Sequence, residues 1–273
     1  ITFWPSSMAT QPRPLTPRTQ RTKPLKPIAR LVCSLTLATC VWGGLPASAL
    51  AEHAAQAERP GDHAIGSVDA PMLIVEYASY SCPHCAHFQT DVWPVIRSEF
   101  VETGEVRYIF RSMLTSPPQI AAIGMVLAAC ADEDRFFSAT DLLFAEQSTI
   151  FETAQAQGDV GAVYNRIGAA VGLTPEALAA CYADPAMTEM VNAAAVQANQ
   201  DGISGTPSFI IGGKVIAMAM SPDGPIYNWG EAPLLINGDR VPAQLDGDTF
   251  RRIILHFLDD ANQGIDHGSA SAH

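Results

Sequence analysis

The sequence predicts an α/β fold with an inserted all-helical block, on three observations. Two compact apolar runs of strand length flank one helical stretch within about forty residues. An Ala-rich tract with helical spacing follows, and short strand-like runs then return before a closing amphipathic helix. The first run, Met72 to Ala78, is apolar throughout, and Val106 to Phe110 is rich in β-branched and aromatic residues. Between them, Phe88, Val92, Val95, Ile96 and Phe100 sit at helical intervals, so Cys82 to Val101 reads as the helix of a βαβ unit. Residues 118–200 read as four or five helices: Ile120 to Ala131, Phe136 to Ala145, Val160 to Val171, Pro175 to Tyr182 and Met187 to Gln200. Thr174-Pro175-Glu176 supplies an N-cap, an N1 proline and a first-turn acid. Ser208 to Ile211 is a short strand after Gly205-Thr206-Pro207. Leu234 to Pro242, turning at Asn237-Gly238, is a hairpin, and Gly247 to Leu258 is the last helix. Val215 to Ala232, with two methionines, two prolines and Trp229, fits no regular element.

The 273 residues are 48% hydrophobic and 16% charged, enough apolar content for a real core. The net charge of −12 averages two unlike parts. The six basic residues before Leu50, from Arg13 to Arg30, meet no acid; removing them from the total of 16 leaves 10 against 28 acids, a net of −18. Lys214 is the one lysine of that acidic part, so nucleic acid is excluded as a partner. A basic run to Arg30, an apolar run from Leu31 to Leu45 and Ala47-Ser48-Ala49 have the order of a cleavable secretory signal over residues 1–49. Residues 50–71, polar and without apolar periodicity, read as a flexible leader, and 261–273 as a flexible tail. Export leaves Cys82, Cys85, Cys130 and Cys181 in a compartment where disulfides persist. Four cysteines allow two bridges in three pairings, and the short and long intervals favour Cys82 with Cys85 and Cys130 with Cys181.

Ser81-Cys82-Pro83-His84-Cys85 follows a buried strand and opens a helix. Cys82 at a helix N-terminus meets unsatisfied N–H groups and the positive end of the macrodipole, which favour thiolate. A protonated or donating His84 would add to that. A dithiol state stabilised in this way makes its disulfide oxidising, with Cys85 as the resolving thiol. The competing reading is half a zinc site with His84 and His87, but there is no second Cys-X-X-Cys to complete four ligands. An inert structural bridge is the third reading.

Glu76 to Phe88, Glu-Tyr-Ala-Ser-Tyr-Ser-Cys-Pro-His-Cys-Ala-His-Phe, resembles the DsbA family of periplasmic thiol:disulfide interchange proteins, in the thioredoxin superfamily. The resemblance runs through the helical block and Gly205-Thr206-Pro207, and implies a DsbA-like thioredoxin fold over residues 72–260 with the helical insertion at about 118–200. It implies a catalytic pair, Cys82 and Cys85, tuned by Pro83 and His84. It further implies that Glu76 is the family's buried acid, against the alternative of an ordinary polar residue at a strand end. Thr206-Pro207 resembles the loop whose cis proline faces the disulfide and pairs with an extended substrate segment. A subgroup with a second disulfide implies that Cys130 and Cys181 pair; two buried free thiols are the alternative.

The function implied is donation of the Cys82-Cys85 disulfide to reduced or unfolded exported proteins, with reoxidation by a quinone-linked membrane oxidase. No organic cofactor or metal is required, and a monomer is expected because only about twenty residues precede the fold after export. The nearest rival is a disulfide isomerase or reductase, favoured by Thr206 before Pro207. A periplasmic copper- or zinc-binding chaperone is the rival from another class. Met218, Met220, Ile226, Tyr227 and Trp229 read either as an apolar substrate lip or, in the favoured reading, as packing of an insertion onto its own domain.

Overall fold

Seven strands form one mixed sheet in the order β1-β3-β2-β4-β5-β6-β7 in the computed structural model, which describes residues 57–262. The strands are β1 (His63–Ile65), β2 (Met72–Ala78), β3 (Val106–Ser112), β4 (Ser208–Ile211), β5 (Lys214–Ser221), β6 (Gly224–Trp229) and β7 (Ala232–Pro233). β2 runs parallel to β3 and antiparallel to β4, so it lies deep in the sheet with both faces covered. That explains its unbroken apolar sequence. Met72, Ile74 and Ala78 face the main core, while Val75 and Tyr77 face a second cluster with Ala198 and Ile203.

Helix α1 spans 83–101 and connects β2 to β3 in segments: Pro83–His87, a widened turn at Phe88–Val92, Trp93–Ile96 and a second widened turn at Arg97–Val101. Pro94 lacks the N–H that a regular helix needs at that place, and the looser turns accommodate it. Its buried face, Phe88, Val92, Trp93 and Ile96, packs on the sheet beside α8 (Gly247–Asn262), which buries Phe250, Ile253, Ile254 and Phe257.

The inserted block contains α2 (Pro118–Cys130), α3 (Phe136–Ala145), α4 (Gln147–Gln155), α5 (Val160–Ala170), α6 (Pro175–Ala183) and α7 (Pro185–Gln200). Three starts are capped by side chains: Asp159 accepts from the Ala162 N–H at 3.0 Å, Thr174 from Ala177 at 3.2 Å and Asp184 from Ala186 at 2.8 Å. Cys130 at the end of α2 and Cys181 in α6 are joined by a disulfide, with Cα atoms 6.4 Å apart. A small hairpin, β8 (Leu235–Ile236) with β9 (Asp239–Arg240), turns at Asn237 and Gly238, both at positive φ, as the Asn-Gly pair predicts.

Four expectations need correction. The leader is not free as far as residue 71: β1 pairs antiparallel with Tyr108 to Phe110 of β3, and Glu58, Arg59 and Asp62 are ion-paired with Arg107, Asp201 and Arg111. Each partner is at least 49 positions away, so no local pattern announces the contact. Val215 to Ala232 is regular after all, a ribbon of β5 and β6 paired from Ile216–Trp229 to Ser221–Gly224. Helix α4 was missed because Gln147 and Ile150 are its buried residues, too few to set a period. The last helix reaches Asn262, so residues 261 and 262 do not belong to the tail. The export signal over 1–49, the start of the leader and the rest of the tail lie outside the described residues.

The bridge closes a separation of 51 positions. Replacing Cys130 and Cys181 together by alanine is expected to lower the unfolding free energy by about 2–4 kcal/mol in urea titrations; an unchanged midpoint would show that the bridge constrains nothing.

Candidate active site

β2 ends at Ala78, and the turn Ser79-Tyr80-Ser81 delivers the chain to Cys82, whose N–H bonds the Ser79 carbonyl at 3.0 Å. Cys82 is the N-cap of α1, extended at φ −92° and ψ 117°, with Pro83 at N1. Proline costs nothing there, because the N–H it lacks has no intrahelical partner anyway. Hydroxyls fasten the turn to the loop after β3: Ser81 Oγ meets Thr115 Oγ1 at 2.9 Å, and Thr115 Oγ1 donates to Ser79 Oγ at 2.9 Å.

The two cysteines are free thiols in unlike surroundings. Cys82 keeps 8% exposure, whereas Cys85 has none. The Cys85 thiol, hydrogen-bonding to the Cys82 sulfur, contributes most to holding Cys82 down at about 5; burial opposes it, and the Thr206 side chain and the N–H groups of Cys85 and His84 reinforce it. Burial pushes Cys85 far above the usual thiol range, and negative charge on Cys82 and Glu76 pushes it further. His84 thus acts on the sulfur through its backbone; its imidazole is exposed and lines a groove. Pro83 is exposed beside it.

Glu76 lies at the centre of β2, opposite Phe110 on one side and Phe209 on the other, and is fully buried. Tyr108 O–H donates to its Oε2, and among the described residues Oε1 has no hydrogen-bond partner. Burial pushes the Glu76 carboxyl up to about 8; the Tyr108 hydrogen bond partly counters this, and charge on Cys82 adds to it. A buried acid that is mostly protonated near neutrality can exchange a proton with a thiol that must not remain charged. Sequence reasoning missed Tyr108, because its partner is 32 positions away on the neighbouring strand.

The peptide between Thr206 and Pro207 is cis, and the Cys82 sulfur donates to the Thr206 carbonyl at 3.4 Å. The loop therefore stands directly against the outer thiol. A groove of about 530 Å³ opens there, lined by His84, Thr206, Pro207, Phe209, Met218 and Leu245. Tyr227 is buried, but Met218 and Met220 are 65% and 79% exposed, so packing accounts for the tyrosine and not for the two methionines. His87 Nδ1 lies 2.8 Å from a carboxylate oxygen of Asp91 at the surface. Among the described residues no three His, Cys, Asp or Glu side chains converge as a metal cage requires.

A second unforeseen residue is Gln147, at the start of α4. Its side-chain amide donates to the carbonyls of Tyr80 at 2.9 Å and Cys82 at 3.1 Å. The Tyr80 hydroxyl lies 3.0 Å from Thr140 Oγ1 of α3, so the turn is held by the inserted block on two sides.

The sequence profile described as Thioredoxin matches residues 58–225. Disulfide bond formation protein D of Bacillus subtilis is 25% identical over 158 residues, which cover 57% of this chain and 70% of that protein. A relative from Rickettsia bellii is 27% identical over 159 residues, 56% of this chain and 57% of its own; the chain spans about half the length of the Rickettsia relatives it matches. Among solved structures, alpha-DsbA1 of Wolbachia pipientis is similar at a TM-score of 0.58 and 23% identity, over 76% of this chain and 96% of that one. BdbD from Bacillus subtilis is similar at 0.54 and 19%, over 75% and 96%. These likenesses show the fold.

The buried acid makes a pH prediction. Its folded pKa of about 8 lies above the ordinary 4.5, so its contribution to stability is complete below about 4.5 and is lost as pH rises through about 8. The stability gained by Glu76→Gln over the parent should therefore grow between about pH 5 and pH 8.5, to on the order of a few kcal/mol. Tyr108→Phe should move the Glu76 titration higher still. Urea unfolding across that range measures the first effect, and a gain independent of pH would contradict it.

Proposed function

The chain belongs to the thioredoxin family, and on that premise we propose that it is a thiol:disulfide oxidoreductase that gives a Cys82–Cys85 disulfide to exported polypeptides. One observation carries the proposal. The outer sulfur is held down at about 5 while the inner one, three residues on, is pushed far above the usual thiol range. Thiolate stabilisation belongs to the dithiol and is absent from the disulfide, so it drives the disulfide towards reduction.

In the oxidised protein a client thiolate attacks the Cys82 sulfur, the part of the pair that reaches solvent. The Cys82–Cys85 bond breaks, and Cys85 leaves with the electron pair. Its environment requires a proton, and Glu76, the buried acid whose charge acts on Cys85 and which is protonated below about 8, gives it. A second client thiolate then attacks the client sulfur of the mixed disulfide, and Cys82 departs as a stable thiolate. The client loses two electrons and two thiol protons; one replaces the proton that Glu76 gave to Cys85, and the other passes to solvent. The Thr206-Pro207 loop and the groove beside it position the client segment, with exposed Met218 on its wall.

The relatives' names support this reading: the Bacillus subtilis protein is named for disulfide bond formation. Export by the basic and apolar N-terminal stretch, a periplasmic location and reoxidation by a quinone-linked membrane oxidase belong to the same proposal. So do action as a monomer and the structural role of the Cys130–Cys181 bridge.

Equilibrating the Cys82/Cys85 pair against a glutathione series tests the proposal. DsbA proteins are the reference case for an oxidising pair, at about −120 mV, and thioredoxin for a reducing one, at about −270 mV. The expected potential lies near the oxidising end, together with rapid metal-free oxidation of a reduced peptide. A thioredoxin-like potential overturns the donor assignment, and an intermediate value transfers it to an isomerase.

A further inference from the structure

The geometry points to a positioning residue outside the redox motif and outside the thioredoxin core: we propose that Gln147 sets the place of the Cys82 sulfur by holding the Cys82 carbonyl from the helical block. The inference rests on Cys82 being the sulfur that the client attacks and that leaves as thiolate in the proposed function.

The Cys82 carbonyl accepts from three sides. The N–H groups of Cys85 and Ala86, from the first turn of α1, reach it at 3.1 Å and 3.2 Å. The Gln147 amide reaches it at 3.1 Å from the opposite element and bonds the Tyr80 carbonyl at 2.9 Å as well. Gln147 is 4% exposed, so these bonds are shielded from water that could replace them. A primary amide has two N–H groups, and here they bridge carbonyls two residues apart in the turn that carries Cys82.

Fixing that carbonyl fixes the peptide plane, and the plane fixes the direction of the Cys82 side chain. The sulfur is thereby kept over the N–H groups of His84 and Cys85, which favour its charge, and beside the Thr206 carbonyl, to which the thiol donates. Neither partner in the helix can do this alone, because both belong to α1 and move with it. Gln147 belongs to α4 and references the sulfur to the inserted block. The rest of the turn is packed onto the same block: Gly124 of α2 approaches the Tyr80 ring so closely that a Cβ there would lie 2.7 Å from it.

The test compares two variants of the full chain in the reduced state. Gln147→Met keeps the volume and removes both donors. Thr140→Val removes the hydroxyl partner of Tyr80 in the same turn, 3.0 Å away, without touching the Cys82 backbone. The readout is the pH profile of Cys82 alkylation by iodoacetamide, with thermal unfolding as the measure of fold. Gln147→Met is expected to shift the midpoint upward and to cut the rate near pH 5 by about threefold to tenfold, the range of one lost neutral hydrogen bond. Thr140→Val is expected to keep the parental profile. A parental profile in Gln147→Met overturns the inference, as does an equal shift in Thr140→Val. Loss of fold in both Gln147→Met and Gln147→Ala overturns it too, since the side chain would then hold the fold rather than the thiol. A parent that alkylates like an ordinary cysteine refutes the underlying functional reading instead, whatever the variants do.

Discussion

Two sulfur atoms on one helical turn are held in opposite electrostatic conditions, and the rest of the molecule maintains that difference. Cys82 caps α1, faces backbone N–H groups and keeps a little exposure; Cys85 is sealed beneath it with Glu76 below. Each pKa unit between them corresponds to about 1.4 kcal/mol of preference for where a single charge sits. Such a preference survives only if the sulfurs cannot relax, which makes rigid placement of the turn from Ser79 to Cys82 the structural requirement.

The surroundings meet that requirement from three directions. β2 brings the turn out of the centre of the sheet, where pairing with β3 and β4 leaves little freedom. The loop before β4 places the Thr206 carbonyl on the outer sulfur. The helical block grips the turn through Gln147 and packs the Tyr80 ring against Gly124. Glu76 works in the other direction: fully buried with one hydroxyl donor on its carboxylate, it costs stability whenever it ionises. In the proposed function that acid is the one that exchanges a proton with the inner thiol.

The chemistry was legible where it is written locally. Cys-Pro-His-Cys after an apolar run places a thiol on a helix N-terminus without knowledge of any distant residue, and Asn-Gly marks its hairpin for the same reason. Residues whose roles arise only across space were not visible. Tyr108 and Gln147 meet their partners 32 and 65 positions away, and a tyrosine in a strand or a glutamine at a helix start carries no mark of such a contact. The ribbon at Lys214–Ser221 did show a period of two, large residues at Ile216, Met218 and Met220 against alanines between, but every position after Lys214 is apolar or small and the alternation is masked. A donating His84 ring is the contribution the motif suggests; the structure exposes that residue and brings its N–H to the sulfur, a group every residue except proline has.

The central claim is that the folded protein stabilises its dithiol more than its disulfide. Denaturant unfolding of the oxidised and reduced forms side by side, at neutral pH, measures this without any client or partner. The account predicts that the reduced form is the more stable one, and that its advantage shrinks as pH falls towards about 5, where Cys82 takes up its proton. An oxidised form more stable than the reduced one at neutral pH would contradict it.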